Sequence, residues 1–419
     1  MTARMTLYPR VALFAAVLAS AGIPLYIHLP SFASAELGLS LATVGFVLIA
    51  IRIVDLVQDP ALGWLVDRFA QRRLLLSRIG LLGLALGFMM LFAIPLPAGM
   101  IGPQAWLVLS LVVVFTNYSL LHILFYGQGV LLAEGREAKA HLRLAGWRET
   151  GLLVGVVLAA AAPEVLKSLG SAAAYRDFGL MLVVLIALAG WLSAPLWSEA
   201  KTSQRPPAIA ARRLLSPAPM WLLLIGLVNA LPVALSSTLF IFFVEDRLQL
   251  PALTGLFLIL FFLAAGCAAP LWSALAKRFG PRLVLIPAMT LAIFSFTWAA
   301  LLPAGSVWGF AIVCLASGAA LAADMVILPA MFAASLARYD LPEGLGFGLW
   351  SFAAKLALAV AAAVALPGLQ AAGYDPGGDN SGTALQALGF AYAVVPSLLK
   401  LVAIFLLALT PRQMLHAAA

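Results

Sequence analysis

Long runs of apolar residues, separated by short polar connections, dominate the pattern of this chain. Twelve runs are long enough for a helix to cross the roughly 30 Å of hydrocarbon in a bilayer. Several contain Pro or Gly, which spanning helices tolerate because neighbouring helices satisfy the backbone groups that these residues free. The pattern predicts an all-α, multi-pass membrane protein with twelve transmembrane helices, near residues 10–34, 41–66, 74–95, 104–132, 144–163, 176–197, 218–244, 252–276, 283–303, 306–334, 345–369 and 384–409.

The composition places the chain in lipid rather than in water. Hydrophobic residues make up 64% of it and charged residues 10%, and the mean hydropathy is +1.06. The net charge of +8 does not indicate nucleic-acid binding, because the basic residues stand in the connections between apolar runs. We find no P-loop, GxSxG elbow, zinc spacing or disulfide framework. We therefore expect no enzyme activity, no cofactor and no bound metal, and a monomer whose partners are lipid and a small-molecule substrate.

Basic residues also predict the orientation of the chain. Nineteen of the 25 Lys and Arg residues fall on one side of the twelve predicted spans, and Lys167, Arg176 and Arg247 fall on the other. Because positive charge is retained on the cytoplasmic side, both termini are predicted to be cytoplasmic, in a cell inner membrane.

A short internal repeat indicates that the chain is duplicated. The pattern Pro60…Arg68-Phe69…Arg72 recurs as Pro270…Arg278-Phe279…Arg282, after the second and the eighth predicted spans. Such repeats are typical of transporters built from two similar bundles. We predict six-helix bundles over residues 1–197 and 218–419, joined by a polar cytoplasmic linker over residues 198–217.

Three charges inside the second predicted span carry the strongest functional signal. Arg52, Asp55 and Asp59 are spaced i, i+3, i+7, so a helix places them on one face. A charge at the bilayer centre costs about 2.5–3.5 kcal/mol on insertion scales, so such residues usually line a pathway. The alternative is an Arg–Asp tie between helices. In the fourth span, Tyr118, His122 and Tyr126 form a second stripe.

Two motifs make the chain resemble the glycoside–pentoside–hexuronide:cation symporter family, the melibiose-permease branch of the major facilitator superfamily. The first motif is Asp55-x-x-x-Asp59-Pro-x-x-Gly63-Trp-x-x-Asp67-Arg68. The second is Ala323-Asp324 followed by Glu343-Gly344-x-x-Phe347-Gly348-Leu-Trp350-x-Phe352-x-x-Lys355. The resemblance implies the major facilitator fold and cation-coupled sugar transport by alternating access.

The resemblance also implies roles for single residues. Asp55 and Asp59 would be ligands of the coupling cation, with Gln58 and Ser119 nearby. Lys355 would reach toward the same centre, and Arg148 matches a family arginine near the sugar. Two departures affect the substrate: Ala19 and Ser20 replace the sugar-binding carboxylate of helix one, and His122 stands where the family has an aspartate on helix four.

These departures favour a proton over sodium as the coupling cation. Sodium needs a cage of oxygen ligands, whereas a proton needs only a titratable group, and histidine titrates near neutrality. We expect a proton-coupled symporter of a small polar or anionic solute, with His122 in the coupling site. Two alternatives remain open, a lysophospholipid or amphiphile transporter of the same fold and a non-transporting membrane assembly factor. The residues expected to contact substrate are Arg52, Tyr118, Tyr126, Arg148, Lys355 and Tyr26.

Two more charges lie inside predicted spans of the second half. Asp324 is a candidate partner of Lys355 across helices ten and eleven. Lys400, in helix twelve, is interpreted either as a lysine that extends to the membrane surface or as a contact for an anion.

The coupling hypothesis makes a prediction about two substitutions. Asp59→Asn should permit substrate binding and exchange but abolish uphill accumulation, because the ion would no longer load. Arg52→Ala should mainly impair folding or binding. Counterflow and gradient-driven uptake in proteoliposomes separate these outcomes, and uphill accumulation by Asp59→Asn would contradict the role of that carboxylate.

Overall fold

The computed structural model describes residues 2–20, 22, 28–29, 32–34, 36–95, 102–133, 138–197 and 216–410. Within helices it leaves the side chains of residues 2–6, 41, 42, 52 and 138 undescribed. All regular secondary structure in the described residues is helical. Ten helices among them are long and apolar enough to cross a membrane. The predicted all-α, multi-pass architecture is confirmed.

Helices can be followed at all twelve predicted spans within the described residues. Three of them contain or end in a π-helical turn, at Met89–Ala93, Phe243–Arg247 and Phe390–Val394. The helices are α1 Thr2–Ala19, α2 Leu41–Arg68, α3 Arg73–Phe88, α4 Pro103–Leu132, α5 Ala138–Ser168, α6 Ala174–Leu192, α7 Pro217–Phe242, α8 Thr254–Phe279, α9 Pro281–Leu301, α10 Val307–Tyr339, α11 Glu343–Ala371 and α12 Gly382–Leu409.

Local sequence sets several of these helix ends. Pro103, Pro217 and Pro281 open α4, α7 and α9, where the missing N–H of proline costs no hydrogen bond. Ser40 caps α2 by accepting a hydrogen bond from the Thr43 N–H at 3.2 Å. Gly280, with φ of +89°, ends α8 in a backbone conformation that favours glycine. These helix-end residues lie in or beside the polar connections between the apolar runs.

The chain divides into two compact units. The first is drawn from Met1–Glu134, Trp147–Leu214 and Asp340–Phe352, and the second from Gly135–Gly146, Leu215–Tyr339 and Ala353–Ala419. Two segments therefore depart from the predicted division at residues 198–217. The start of α5 belongs to the second unit, where Ser273 donates a hydrogen bond to the Leu142 carbonyl at 2.8 Å. The first turns of α11 belong to the first unit, where they pack on α2.

The same helix pairs pack in each unit. In the first unit α2 packs on α4, α3 on α4 and α6, and α1 on α6. In the second unit α8 packs on α10, α9 on α10 and α12, and α7 on α12. Each helix of the second set stands six positions after its counterpart, which is the relation that the sequence repeat indicates. Pro60 and Pro270 occupy corresponding places inside α2 and α8.

Aromatic side chains fill the interior of both units. In the second unit, Phe243 stacks on Tyr392 with ring centroids 4.0 Å apart, and Phe310 packs against Phe243 and Phe257. In the first unit, Phe14 contacts Phe125 and Trp197. Aromatic pairs of this kind add about 0.5–1.5 kcal/mol beyond their buried area.

Close backbone contact between α1 and α5 depends on two glycines of α5. A β-carbon built on Gly151 would lie 2.1 Å from the Ala12 carbonyl oxygen, and one built on Gly155 would lie 2.2 Å from that of Ala16. These distances are far inside van der Waals contact. The spacing is the small-xxx-small pattern by which membrane helices approach closely.

Gly151→Ala should therefore separate α1 from α5 and destabilise the protein by about 1–3 kcal/mol, the usual cost of overpacking. The matched control is Gly45→Ala on α2, where an added β-carbon meets nothing within 4 Å. The control should leave the melting temperature unchanged or raise it, since alanine favours helix over glycine. Melting temperatures of the purified variants, measured by intrinsic fluorescence, test this, and equal values for both would contradict the close approach.

Candidate functional site

Asp55 and Asp59 of α2 point into the protein. Asp55 is 2% exposed and Asp59 is fully buried, whereas Ile53 and Val57 on the opposite face are 60% and 73% exposed. Apolar side chains thus cover the outside of the helix, as lipid requires. The two carboxylates belong to the interior of the first unit, one helical turn apart, which is the arrangement that their spacing predicts.

A chain of polar side chains links Asp55 to α4. The Gln58 amide donates from Nε2 to Asp55 Oδ1 at 2.6 Å. The Thr116 hydroxyl donates to Gln58 Oε1 at 3.0 Å. Gln58 therefore lies beside Asp55, where the family resemblance places it. Thr116 is a further polar member of this site that the sequence alone did not single out.

Asp59 is held from α11. Ser351 donates from Oγ to Asp59 Oδ2 at 2.6 Å. A β-carbon on Gly348 would lie 2.7 Å from the Asp59 carbonyl oxygen, and one on Gly63 would lie 2.5 Å from the Gly344 carbonyl oxygen. The glycines of the two recognised motifs therefore let α2 touch the first turns of α11, and this contact places Ser351 on Asp59.

The end of α2 is also hydrogen-bonded to the start of α11. Asp67 accepts hydrogen bonds from the Gly344 and Leu345 N–H groups at 2.7 and 2.6 Å, the role of a carboxylate at a helix N-terminus. Arg73, which is 3% exposed, pairs with Glu343 at 3.2 Å and donates to Gln128 Oε1 at 3.2 Å. Arg73 is thus a buried structural residue, whereas in the sequence it counts only as one of the nineteen basic residues that predict the orientation of the chain.

The α4 stripe forms a column of rings. The His122 ring stacks on that of Tyr126 with centroids 4.3 Å apart, and Tyr118 lies 5.7 Å from His122. The Arg148 guanidinium carbon lies 3.6 Å from the centre of the Tyr126 ring, within the range of a cation–π contact. Of the expected substrate residues, Tyr118 and Tyr126 therefore pack on His122, and Arg148 packs on the Tyr126 ring.

Glu149 stands at the end of this column and is a site residue that the sequence pattern did not identify. It is fully buried, and its Oε1 accepts from Arg148 Nε at 2.9 Å and from the Tyr126 hydroxyl at 3.1 Å. Its Oε2, like Arg148 Nη2, is buried without a hydrogen-bond partner among the described residues. Glu149 lies inside the span predicted for residues 144–163. Because α5 begins earlier, at Ala138, Glu149 lies roughly 16 Å from the start of the helix. The rule that flags intramembrane charges would have found it.

A second polar centre lies inside the second unit. Lys400 is 3% exposed and contacts both Asp324 and Asn229. The partner that the structure gives Asp324 is therefore Lys400 of α12. The interpretation of Lys400 as a lysine that extends to the membrane surface is wrong, because α7 and α10 supply it with partners inside the unit.

The remaining expected site residues are placed as follows. Ser119 is buried on α4, and Lys355 is half-buried on α11. Arg52 lies on α2, but its side chain falls outside the description, and so does Tyr26. No group of three or more His, Cys, Asp and Glu side chains is placed to hold a metal ion in the part of the chain that the structure describes.

A family described as MFS/sugar transport protein matches residues 10–412. The chain belongs to this family. It is a multi-pass membrane transporter of the major facilitator fold, not an enzyme, and its substrates are small molecules. No curated protein matches this MFS transporter.

Solved structures of transporters share the fold. A bacterial homologue of the iron transporter ferroportin, in the outward-facing state, has a TM-score of 0.72 and 17% identity, covering 96% of this chain and 98% of that one. The human organic anion transporter MFSD10 (TETRAN) has a TM-score of 0.66 and 16% identity, covering 96% and 99%. The E. coli fucose:proton symporter FucP (N162A) has a TM-score of 0.66 and 15% identity, covering 94% and 98%. At these identities the likeness extends to the fold.

The contact between Tyr126 and Glu149 makes a stability prediction for this MFS transporter. Tyr126→Phe should lower the free energy of unfolding by about 1–3 kcal/mol, because a buried carboxylate loses a donor. A double-mutant cycle with Glu149→Gln measures the contact itself. We expect Tyr126→Phe to cost less in the Glu149→Gln background than in the wild type, and a coupling energy of zero would show that the hydroxyl does not stabilise Glu149.

Proposed function

We propose that this transporter is a proton-coupled symporter of a small polar or anionic solute. The observation that carries the proposal is the burial of three carboxylates, Asp55, Asp59 and Glu149, in helices of the first unit. An ionised carboxylate at membrane depth is costly, and protonation removes the charge. A carrier that loads a proton before its substrate site closes therefore lowers the cost of closing.

The surroundings of Glu149 support a proton rather than sodium. A sodium ion needs several oxygen ligands at once, whereas Glu149 is surrounded by N–H and O–H donors from Arg148 and Tyr126. The positive charge of the Arg148 guanidinium would repel a metal cation at Glu149. His122, stacked on Tyr126, adds a second titratable group to the same column.

Arg148 and the two tyrosine rings of the column suggest the substrate class. Arg148 has a buried guanidinium nitrogen, Nη2, without a partner among the described residues. A carboxylate, phosphate or hydroxyl of the solute would satisfy it, while the Tyr126 and Tyr118 rings offer an apolar face. One structural neighbour is an organic anion transporter and another is a fucose:proton symporter. The two motifs support placing the chain in the glycoside–pentoside–hexuronide:cation symporter branch.

Transport of an amphiphile is the second candidate, and one groove favours it. The second unit carries an open groove of about 610 Å³, lined by Leu235, Leu369 and Val395 and by the polar Thr383 and Gln386. An acyl chain with a polar head fits such a lining. The family favours either kind of transport over a non-transporting assembly factor.

An imposed pH gradient tests the proposal. Proteoliposomes should accumulate a solute from a panel of sugars, organic anions and lysophosphatidylcholine when the inside is alkaline, with and without Na⁺. Glu149→Gln should reduce the accumulation at least tenfold while substrate exchange persists. Glu164→Gln is the matched control on α5, because Glu164 is exposed and paired with Lys167, and it should transport as the wild type.

Strict dependence on Na⁺ would refute proton coupling. Accumulation of lysophosphatidylcholine alone would replace the polar solute by the amphiphile.

A further inference from the structure

Three buried polar side chains from three helices meet inside the second unit. Asn229 of α7, Asp324 of α10 and Lys400 of α12 are 4%, 6% and 3% exposed. The Lys400 ammonium donates to Asn229 Oδ1 at 2.6 Å and forms an ion pair with Asp324 Oδ2. We call these residues the α7–α10–α12 triad.

The triad lies at the middle of its helices. Asn229 is the thirteenth of 26 residues in α7, Asp324 the eighteenth of 33 in α10, and Lys400 the nineteenth of 28 in α12. Polar groups at such depth are expensive and usually mark a substrate or ion pathway. Stability alone does not explain the pair, because well-packed apolar residues stabilise a protein as well as a buried ion pair or better.

The triad has unused hydrogen-bonding capacity. Asp324 Oδ1 is buried without a hydrogen-bond partner among the described residues. An ammonium group has three N–H donors, and the contacts to Asn229 and Asp324 use two of those of Lys400. Asp324 Oδ1 can therefore bind a proton, and the third N–H of Lys400 can donate a hydrogen bond to an anion.

Charge balance couples these two events. Protonation of Asp324 alone would leave the Lys400 cation buried without a counter-ion, and an anion alone would leave two negative charges around one ammonium. When both bind together, the proton binds to Asp324 Oδ1 and the anion pairs with the Lys400 ammonium in place of Asp324. The net charge of the site then stays at zero. Each ligand thus raises the affinity for the other.

We propose that the α7–α10–α12 triad is a carboxylate-exchange site, in which Lys400 releases Asp324 to bind a carboxylate of the substrate while Asp324 takes a proton. The proposal rests on the proposed function and names the substrate class as carboxylates. Lys400 is the charged group that faces Asp324 among the described contacts. The charges of the neighbouring α8 and α9 lie in their end turns, at Lys277, Arg278 and Arg282, and α11 carries Lys355.

Thermal shift of the purified, full-length protein tests the site. The probes are acetate, lactate and benzoate, each matched with its neutral amide. The measurements run between about pH 6 and 8, where these three probe molecules stay ionised. At least one carboxylate should raise the melting temperature of the wild type, and its amide should not. If one proton enters with each anion, the apparent Kd should fall about tenfold per pH unit of acidification.

Two single substitutions separate the partners. Lys400→Met should abolish the carboxylate response. Asp324→Asn should keep the response but remove its pH dependence, because the amide resembles the protonated carboxyl group. Lys167→Met is the matched control, since Lys167 is an exposed lysine paired with Glu164, and it should respond as the wild type.

A double variant covers the case in which a single charge, left unpaired, prevents folding. Asp324→Asn with Lys400→Met removes both charges, should fold, and should not respond to carboxylates. The proposal is overturned if no carboxylate stabilises the wild type, if the response is independent of pH, or if a variant that lacks Lys400 responds as the wild type does.

The outcomes also distinguish this inference from the proposed function. Uptake driven by a pH gradient, together with an unchanged carboxylate response in the Lys400→Met variant, refutes the exchange site alone. A carboxylate response that requires Lys400, without any gradient-driven uptake, refutes proton-coupled symport alone.

Discussion

A charge buried at membrane depth has to be neutralised by a partner, by a proton or by water, and this electrostatic constraint explains the buried polar contacts described above. The surface of α2 is apolar and its carboxylates point inward, which inverts the arrangement of a water-soluble helix. Each buried carboxylate described above has at least one donor within the same unit. Fixed hydrogen-bond donors lower the free-energy cost of burying a carboxylate. A buried carboxylate that can also bind a proton could couple proton binding to transport.

The two units neutralise a buried cation in different ways. Arg148 and Glu149 are neighbours in sequence on the same helix, α5, so motion of one helix against another does not by itself separate them. Lys400 and Asp324 come from different helices, with Asn229 supplied by a third. A small shift of α10 against α12 would change that ion pair directly. The second arrangement therefore responds more strongly to motion within its own unit.

Glycine sets where the Asp59 carboxylate meets its partner. Gly63, Gly344 and Gly348 allow the backbones of α2 and α11 to touch, and a single added methyl group on either helix would separate Asp59 from Ser351. The same glycines stand in the two motifs that carry the family resemblance. Their spacing is thus explained by a packing requirement of this chain, and the polar residues beside them are positioned as a result.

The sequence by itself determined the number and approximate limits of the helices, the duplicated order of their packing, and the inward face of α2, because hydrophobic periodicity and the cost of charge in lipid are local properties. It placed Gln58 beside Asp55 and the Tyr118, His122 and Tyr126 rings in one column. Only the tertiary structure decided which helix faces which. Ser351 on Asp59, Lys400 on Asp324 and Arg73 on Glu343 join residues 292, 76 and 270 positions apart. Periodicity assigns a side chain to a face of its own helix, but the neighbour that covers this face is selected by packing across the whole unit.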